Sequence, residues 1–328
     1  MMNKTNNKLI NIIICISILC FMLSLSTIFW NYSYIKNDFY AILFELRLPR
    51  YLSALLVGGI LGICGCLMQN ITHNPLAEPN ILGVASCSSV GSILFLLLNL
   101  NAVIGGVIGS VVGIFLLSMG LVFRKHDISN INTYILLKGL IINSICAAII
   151  SLILQISPYE KLPSLIFWIM GDLSYVSWEF TYYLFGALLL ALVILHFYRF
   201  KLNYLWVDDY KAYSLGVSLD KLKIILFGIV AILIGLTTSQ IGSVGFVGII
   251  APYFIKYISS IDKKNNKSLS IIHQVYFSGV FGAFLVSIAD GIARNVIYPS
   301  TLSISIVTSF IGVPIFWKIL QDMHFNKK

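Results

Sequence analysis

The chain has 328 residues, of which 58% are hydrophobic and 11% charged, and its mean hydropathy is +0.91. Soluble globular domains carry about 25% charged residues, so a soluble enzyme, a disordered chain and a secreted disulfide scaffold are excluded. The net charge of +9 then reads as loop charge that orients an integral membrane protein, rather than as a nucleic-acid surface.

A spanning helix needs about 20 mostly apolar residues, and continuous apolar runs of this kind point to helices rather than a barrel. The first run, 9–30, follows Lys4 and Lys8 and ends in Trp30, Asn31 and Tyr32. It is longer than the roughly 7–15-residue core of a signal peptide and lacks a small-residue cleavage site, so it reads as a retained span. The second, 51–69, opens on Arg47-Leu48-Pro49-Arg50. Then comes Asn74-Pro75-Leu76-Ala77-Glu78-Pro79-Asn80, where two prolines stop the helix; this loop is either a rigid elbow suited to a gate at the inner mouth or a plain tight turn. The remaining runs are 81–98, 102–123, 134–156, 179–198, 224–241, 244–260, 269–292 and 303–320. The fold class is therefore all-α: one polytopic transmembrane domain of ten helices.

Ten spans place both termini on one side. With the N-terminus cytoplasmic, only Lys36, Arg47, Arg50, Lys161 and Arg294 of the 22 Lys and Arg fall outside, and Lys138 lies near the inner end of the fifth span. That asymmetry is the one expected of an inserted chain. The longest inner loop, 199–223, holds Asp209 to Val217, with Ala212 and Leu215 at helical spacing and Gly216 placed to end that helix. Asp220 opens a second short helical run. Two short helices joined by a glycine make a knob able to dock into a groove on a soluble partner.

Apart from Glu179 at the first position of the sixth, Asp290 is the only carboxylate within a predicted span, near the outer end of the ninth, and Arg294 follows it at i+4. The pair is either a structural ion pair or a functional intramembrane group. Arg47, Arg50 and Arg294 on the outer face can receive carboxylates of an extracellular protein or an anionic ligand, or can anchor lipid phosphates. Gly58 with Gly62, and Gly105, Gly109 and Gly113, recur at four-residue spacing and predict close helix packing. The six cysteines form no CxxC pair and offer no metal site. The sequence G-x-x-x-x-G-K-[ST] is missing, so any ATP hydrolysis belongs to another polypeptide.

Taken in order, Leu46–Ile60, His73–Ala85, Phe167–Tyr175, Asp209–Val217, Ile241–Tyr253, Ala289–Val296 and Ile311–Ile315 resemble the permease subunits of type II ATP-binding-cassette importers for iron–siderophore complexes, haem and cobalamin. The resemblance implies a prokaryotic cell-membrane permease, itself not an enzyme and without a bound cofactor. It would pair with a second permease subunit, identical or related, two ATPase subunits carrying ATP-Mg below and a substrate-binding protein above. It implies that Arg47, Arg50 and Arg294 dock the binding protein. Asn74 and Leu76, with Asn132 and Thr133 in the next inner loop, would form the cytoplasmic gate. Asp209, Ala212, Leu215 and Gly216 would couple to the ATPase. The chain departs from the family at Tyr213, where Arg is usual, at Tyr253, where His is usual, and at Ser303-Ile304-Ser305, where the family has Pro-x-Gly. The expected cargo is an iron(III)–siderophore complex, with haem and cobalamin as alternatives. The rival reading is an ion-coupled secondary transporter, which needs an ion site at the membrane midplane. A membrane-embedded enzyme needs convergent catalytic groups at one depth, and none stand out.

Overall fold

The structure, a computed structural model, describes residues 40, 42–122, 131–174, 176–206, 219–261, 269–297 and 300–325. The predicted first span therefore lies outside the described residues. Among the described residues the regular elements are all helical. We number the main helices α1 (Leu48–Thr72), α2 (Val84–Leu97), α3 (Ala102–Val122), α4 (Ile131–Ile156), α5 (Leu162–Ile169), α6 (Trp178–Phe197), α7 (Leu219–Ile241), α8 (Val247–Ile261), α9 (Ile271–Asn295) and α10 (Ile304–Phe325).

Seven helices are long and apolar enough to cross a membrane, while α2 and α8 are shorter apolar helices. With 14 and 15 residues, these two reach only about 21–23 Å at 1.5 Å per residue, against a hydrocarbon core of about 30 Å. Within the expected runs 81–98 and 244–260 the helices begin at Val84 and Val247, with irregular backbone before each of them. The short helix α5 was not expected. Asp220 also departs from expectation. It sits in the first turn of α7, which continues unbroken to Ile241, so the second short helix of the knob is the start of a span.

The order of burial sets the architecture. Of the apolar window of α1, 83% is buried, against 22% for α4 and 28% for α6 and α10. The helix α1 is thus the central post, and α4, α6 and α10 lie at the periphery of the single chain. The reason lies in small residues. A Cβ on Gly58 would overlap the carbonyl of Gly282, one on Gly62 that of Ser278, and one on Gly65 that of Gly248. The backbone of α1 therefore touches α9 and α8 directly, which is how helices gain packing in a solvent as apolar as themselves. The expected pattern in α3 does the same work: Gly105 meets Gly91, while Gly109 and Gly113 meet Cys87, all on α2.

Some polar groups inside the bundle find partners on neighbouring helices. Ser53 and Thr181 share a 2.8 Å hydrogen bond between α1 and α6, and the Ser110 hydroxyl donates to the Ala231 carbonyl at 2.7 Å between α3 and α7. Cys64, Cys66, Cys87 and Cys146 are free and buried. The last two lie with sulfurs 3.5 Å apart.

Candidate functional site

One end of the bundle, expected to be the outer one, carries a buried charge cluster. The guanidinium of Arg50, at the start of α1, donates from Nε and Nη2 to Asp290 Oδ1 on α9 at 2.9 and 2.8 Å. Its Nη1 donates to the Ser174 hydroxyl at 3.1 Å. Arg294, one turn beyond Asp290, reaches Asp290 Oδ2 at 3.1 Å. The Asp290 side chain is 1% exposed, while those of Arg50 and Arg294 are 12% and 16% exposed.

The expected Asp290–Arg294 pair is present, but the carboxylate faces two guanidiniums, each within hydrogen-bonding range. Around it, Ser174 donates both its N–H and its hydroxyl to Asp172 Oδ1. Asp172 N donates to the last carbonyl of α7, and Gly171, at φ +83°, accepts from Ile304 N at the start of α10. One node thus gathers α1, the α5–α6 loop and the ends of α7, α9 and α10. Of the three outer arginines, Arg50 and Arg294 are committed to this node. Arg47, at the end of the π-helical turn Ile42–Arg47, is partly exposed.

The elbow between α1 and α2 is the second feature. α1 ends at His73 in a left-handed conformation. The side chain of Asn74 then accepts from Leu76 N at 2.9 Å and shapes the turn. Sequence reasoning placed this elbow at the inner mouth, but its far end goes deeper. Asn143, midway along α4, donates to the carbonyls of Asn80 and Ile81 at 3.0 and 2.9 Å. Ile81 and Leu82 crowd the face of Gly139, also on α4. Irregular backbone at membrane depth requires partners of this kind, since lipid offers none.

Glu78 lies within the elbow at 2% exposure. Its Oε1 accepts from Phe246 N at 3.0 Å, next to the start of α8, while Asn80 donates to the Val244 carbonyl at 2.6 Å. Sequence reasoning missed Glu78, Asn80, Asn143 and Phe246. A carboxylate between two prolines and an asparagine in the middle of an apolar run were the available signals.

Asn132 and Thr133 lie in the first turn of α4. Asp209, Ala212, Leu215, Gly216 and Tyr213 lie outside the described residues. Ser305, at the departure from the family pattern, donates to the Ser243 carbonyl at 2.6 Å and so braces the α7–α8 junction. Tyr253 stacks on Tyr257. Among the described residues no group of three or more His, Cys, Asp or Glu is placed to hold a metal ion.

The peripheral helices α4 and α10 present Leu137, Ile141, Ile145, Phe310, Val313 and Trp317 outward. α4 carries no carboxylate, and α10 has one only near its C-terminal end, Asp322.

The sequence profile of the FecCD transport family matches residues 8–322. The chain belongs to the FecCD transport family. Among its FecCD relatives, the hemin transport system permease HmuU of Yersinia pestis is 33% identical over 304 residues, spanning 89% of this chain and 87% of the relative. The molybdate import system permease MolB of Haemophilus influenzae is 32% identical over 285 residues, spanning 86% and 81%. A solved chain described as an inward-facing conformation of a metal-chelate type ABC transporter matches with a TM-score of 0.78 at 28% identity, covering 95% of this chain and 99% of that one. The FecCD chain described here is thus a multi-pass membrane permease of the type II ATP-binding-cassette importer class.

Proposed function

We propose that this permease forms half of the pathway through which iron(III)–siderophore complexes are imported, with haem and cobalamin as the nearest alternative cargoes. A second permease copy or a related chain supplies the other half. Two separate ATPase subunits provide the energy at the cytoplasmic side, where both termini lie, and a substrate-binding protein delivers the complex from outside. The observation that carries this reading is the outward face of α4 and α10: large, apolar and free of carboxylates over its length in the membrane. A bulky chelate passes along such a wall without being held, because tight binding would slow release. The hemin permease and the metal-chelate transporter among its relatives support a chelate cargo, while the molybdate permease shows how far cargo varies within the family.

The segment around Asp209, Ala212, Leu215 and Gly216 transmits ATPase closure to the bundle. Each partner must then bind the two states of the other with different affinity. The elbow, with Asn74, Leu76, Asn132 and Thr133, closes the inner end. In liposomes holding the permease, its ATPase and its binding protein, uptake is expected to need ATP, and Leu215→Asp is expected to abolish uptake while ATP hydrolysis persists. Full-rate uptake by Leu215→Asp would remove the coupling role. Uptake driven by an ion gradient without any ATPase would establish the secondary transporter instead.

On the outer face, Arg47, Arg50 and Arg294 meet acidic groups of the binding protein. Their expected effects differ, because Arg50 and Arg294 also hold Asp290. Arg47→Glu is expected to weaken docking about tenfold with a reduced salt dependence, as for a charge at an interface rim. Arg50→Glu and Arg294→Glu would first break the Asp290 node. Surface plasmon resonance at two salt concentrations checks this; unchanged affinity for Arg47→Glu would exclude it from the interface.

A further inference from the structure

Glu78 is the buried carboxylate that the outer node and the apolar wall leave unused. It stands at the opening of α8, where unpaired N–H groups and the helix dipole favour an anion. Its Oε1 receives the Phe246 N–H at 3.0 Å, and Asn80 Nδ2 lies 3.4 Å from the same oxygen. Among the described residues its Oε2 has no hydrogen-bond partner, and it lies close to Gly248.

Phe246 holds a backbone conformation that side chains resist, φ +68°. Strain of this kind persists only where the surroundings over-determine it. Two contacts do so here. The N–H is fixed by Glu78, and the ring is wedged against α10. A Cβ on Gly312 would overlap the Phe246 side chain, and the ring meets Phe316 edge-on at 6.3 Å. On the opposite side, the elbow that carries Glu78 is hung from α4 by the two hydrogen bonds of Asn143. The path from α4 to α10 therefore runs Asn143, elbow, Glu78, Phe246, Gly312.

We propose that Glu78 is a positioning residue that ties α4 to α10 through the Phe246 N–H, so that the two walls of the pathway move as one unit. The functional part of this inference rests on the reading that α4 and α10 border the pathway; the mechanical part does not. Glutamine retains an acceptor at Oε1, so Glu78→Gln is expected to rescue what Glu78→Ala loses.

The test uses the full chain in lipid nanodiscs with spin labels at Ile141→Cys and Val313→Cys, both on exposed faces. A narrow distance distribution is expected with Glu78 and with Glu78→Gln, and a broadened one with Glu78→Ala. An identical distribution in all three would overturn the tie. Where Glu78→Ala fails to insert, Phe246→Gly serves instead: glycine accepts the positive φ but removes the wedge, and it is expected to broaden the distribution. An unbroadened distribution would overturn the tie equally.

In liposomes with ATPase and binding protein, uptake per ATP hydrolysed is expected to fall about tenfold for Glu78→Ala and to recover in Glu78→Gln. Broadened distances with an unchanged ratio would overturn the role in transport while keeping the tie. Wild-type protein that shows no ATP-driven uptake would instead count against the proposed function, with the distances still deciding the tie.

Discussion

Asp290→Ala is expected to lower the stability of the inserted protein by about 3–5 kcal/mol, the cost of removing one partner from a buried ion pair. Arg50 and Arg294 are the reason. Both guanidiniums are at least four-fifths buried, and both direct Nε at the same carboxylate. With alanine in place, two positive charges face each other across a cavity. Arg50 keeps only Ser174, and Arg294 keeps a 3.4 Å contact with the Asp290 carbonyl. Asp290→Asn is expected to fall between, since an amide still accepts but does not neutralise. The midpoint of thermal unfolding in detergent micelles measures the order. An unchanged midpoint in Asp290→Ala would show that the cluster contributes nothing to the fold.

Gly62→Val should be as severe for a different reason. The Gly62 position on α1 faces the backbone carbonyl of Ser278 on α9, with no side chain between. A branched side chain there must drive the two helices apart, and overpacking costs of about 1–3 kcal/mol in soluble cores are an underestimate where rigid backbone is the obstacle. Separation also loosens the reciprocal contact between Gly58 and Gly282 one turn away. In lipid nothing restores the loss, because the tails are as apolar as the exposed faces. Protein accumulation in membranes and resistance to limited proteolysis are expected to drop sharply. Gly228→Ala on α7, where a Cβ meets nothing within 4 Å, is the control. It is expected to be neutral or slightly stabilising, since alanine is the better helix former. Equal damage from both would mean that helix propensity, not close approach, sets the effect.

The two substitutions differ in how visible they were beforehand. The glycine spacing of α1 and the Asp290–Arg294 separation are local patterns, and both hold in the structure. The partner of each was not local. Arg50 and Asp290 are 240 residues apart, and Phe246 and Glu78 are 168 apart. Reading arginines as an outer docking set missed that Asp290 already engages two of them. Placing the Pro-rich elbow at the inner mouth missed its depth, because its partner Asn143 lies 63 and 62 residues along the chain from Asn80 and Ile81.

By itself the sequence determined that the chain inserts, where the long helices of the described residues run, and to which class of permease it belongs. These follow from sums over neighbouring residues: apolar length against bilayer thickness, and ordered motifs along the chain. Tertiary structure alone decided which helix stands at the centre, how deep the elbow reaches and which charges neutralise one another. Those outcomes depend on backbones meeting at glycine faces and on buried polar groups finding partners far along the chain, and no local sum contains that information.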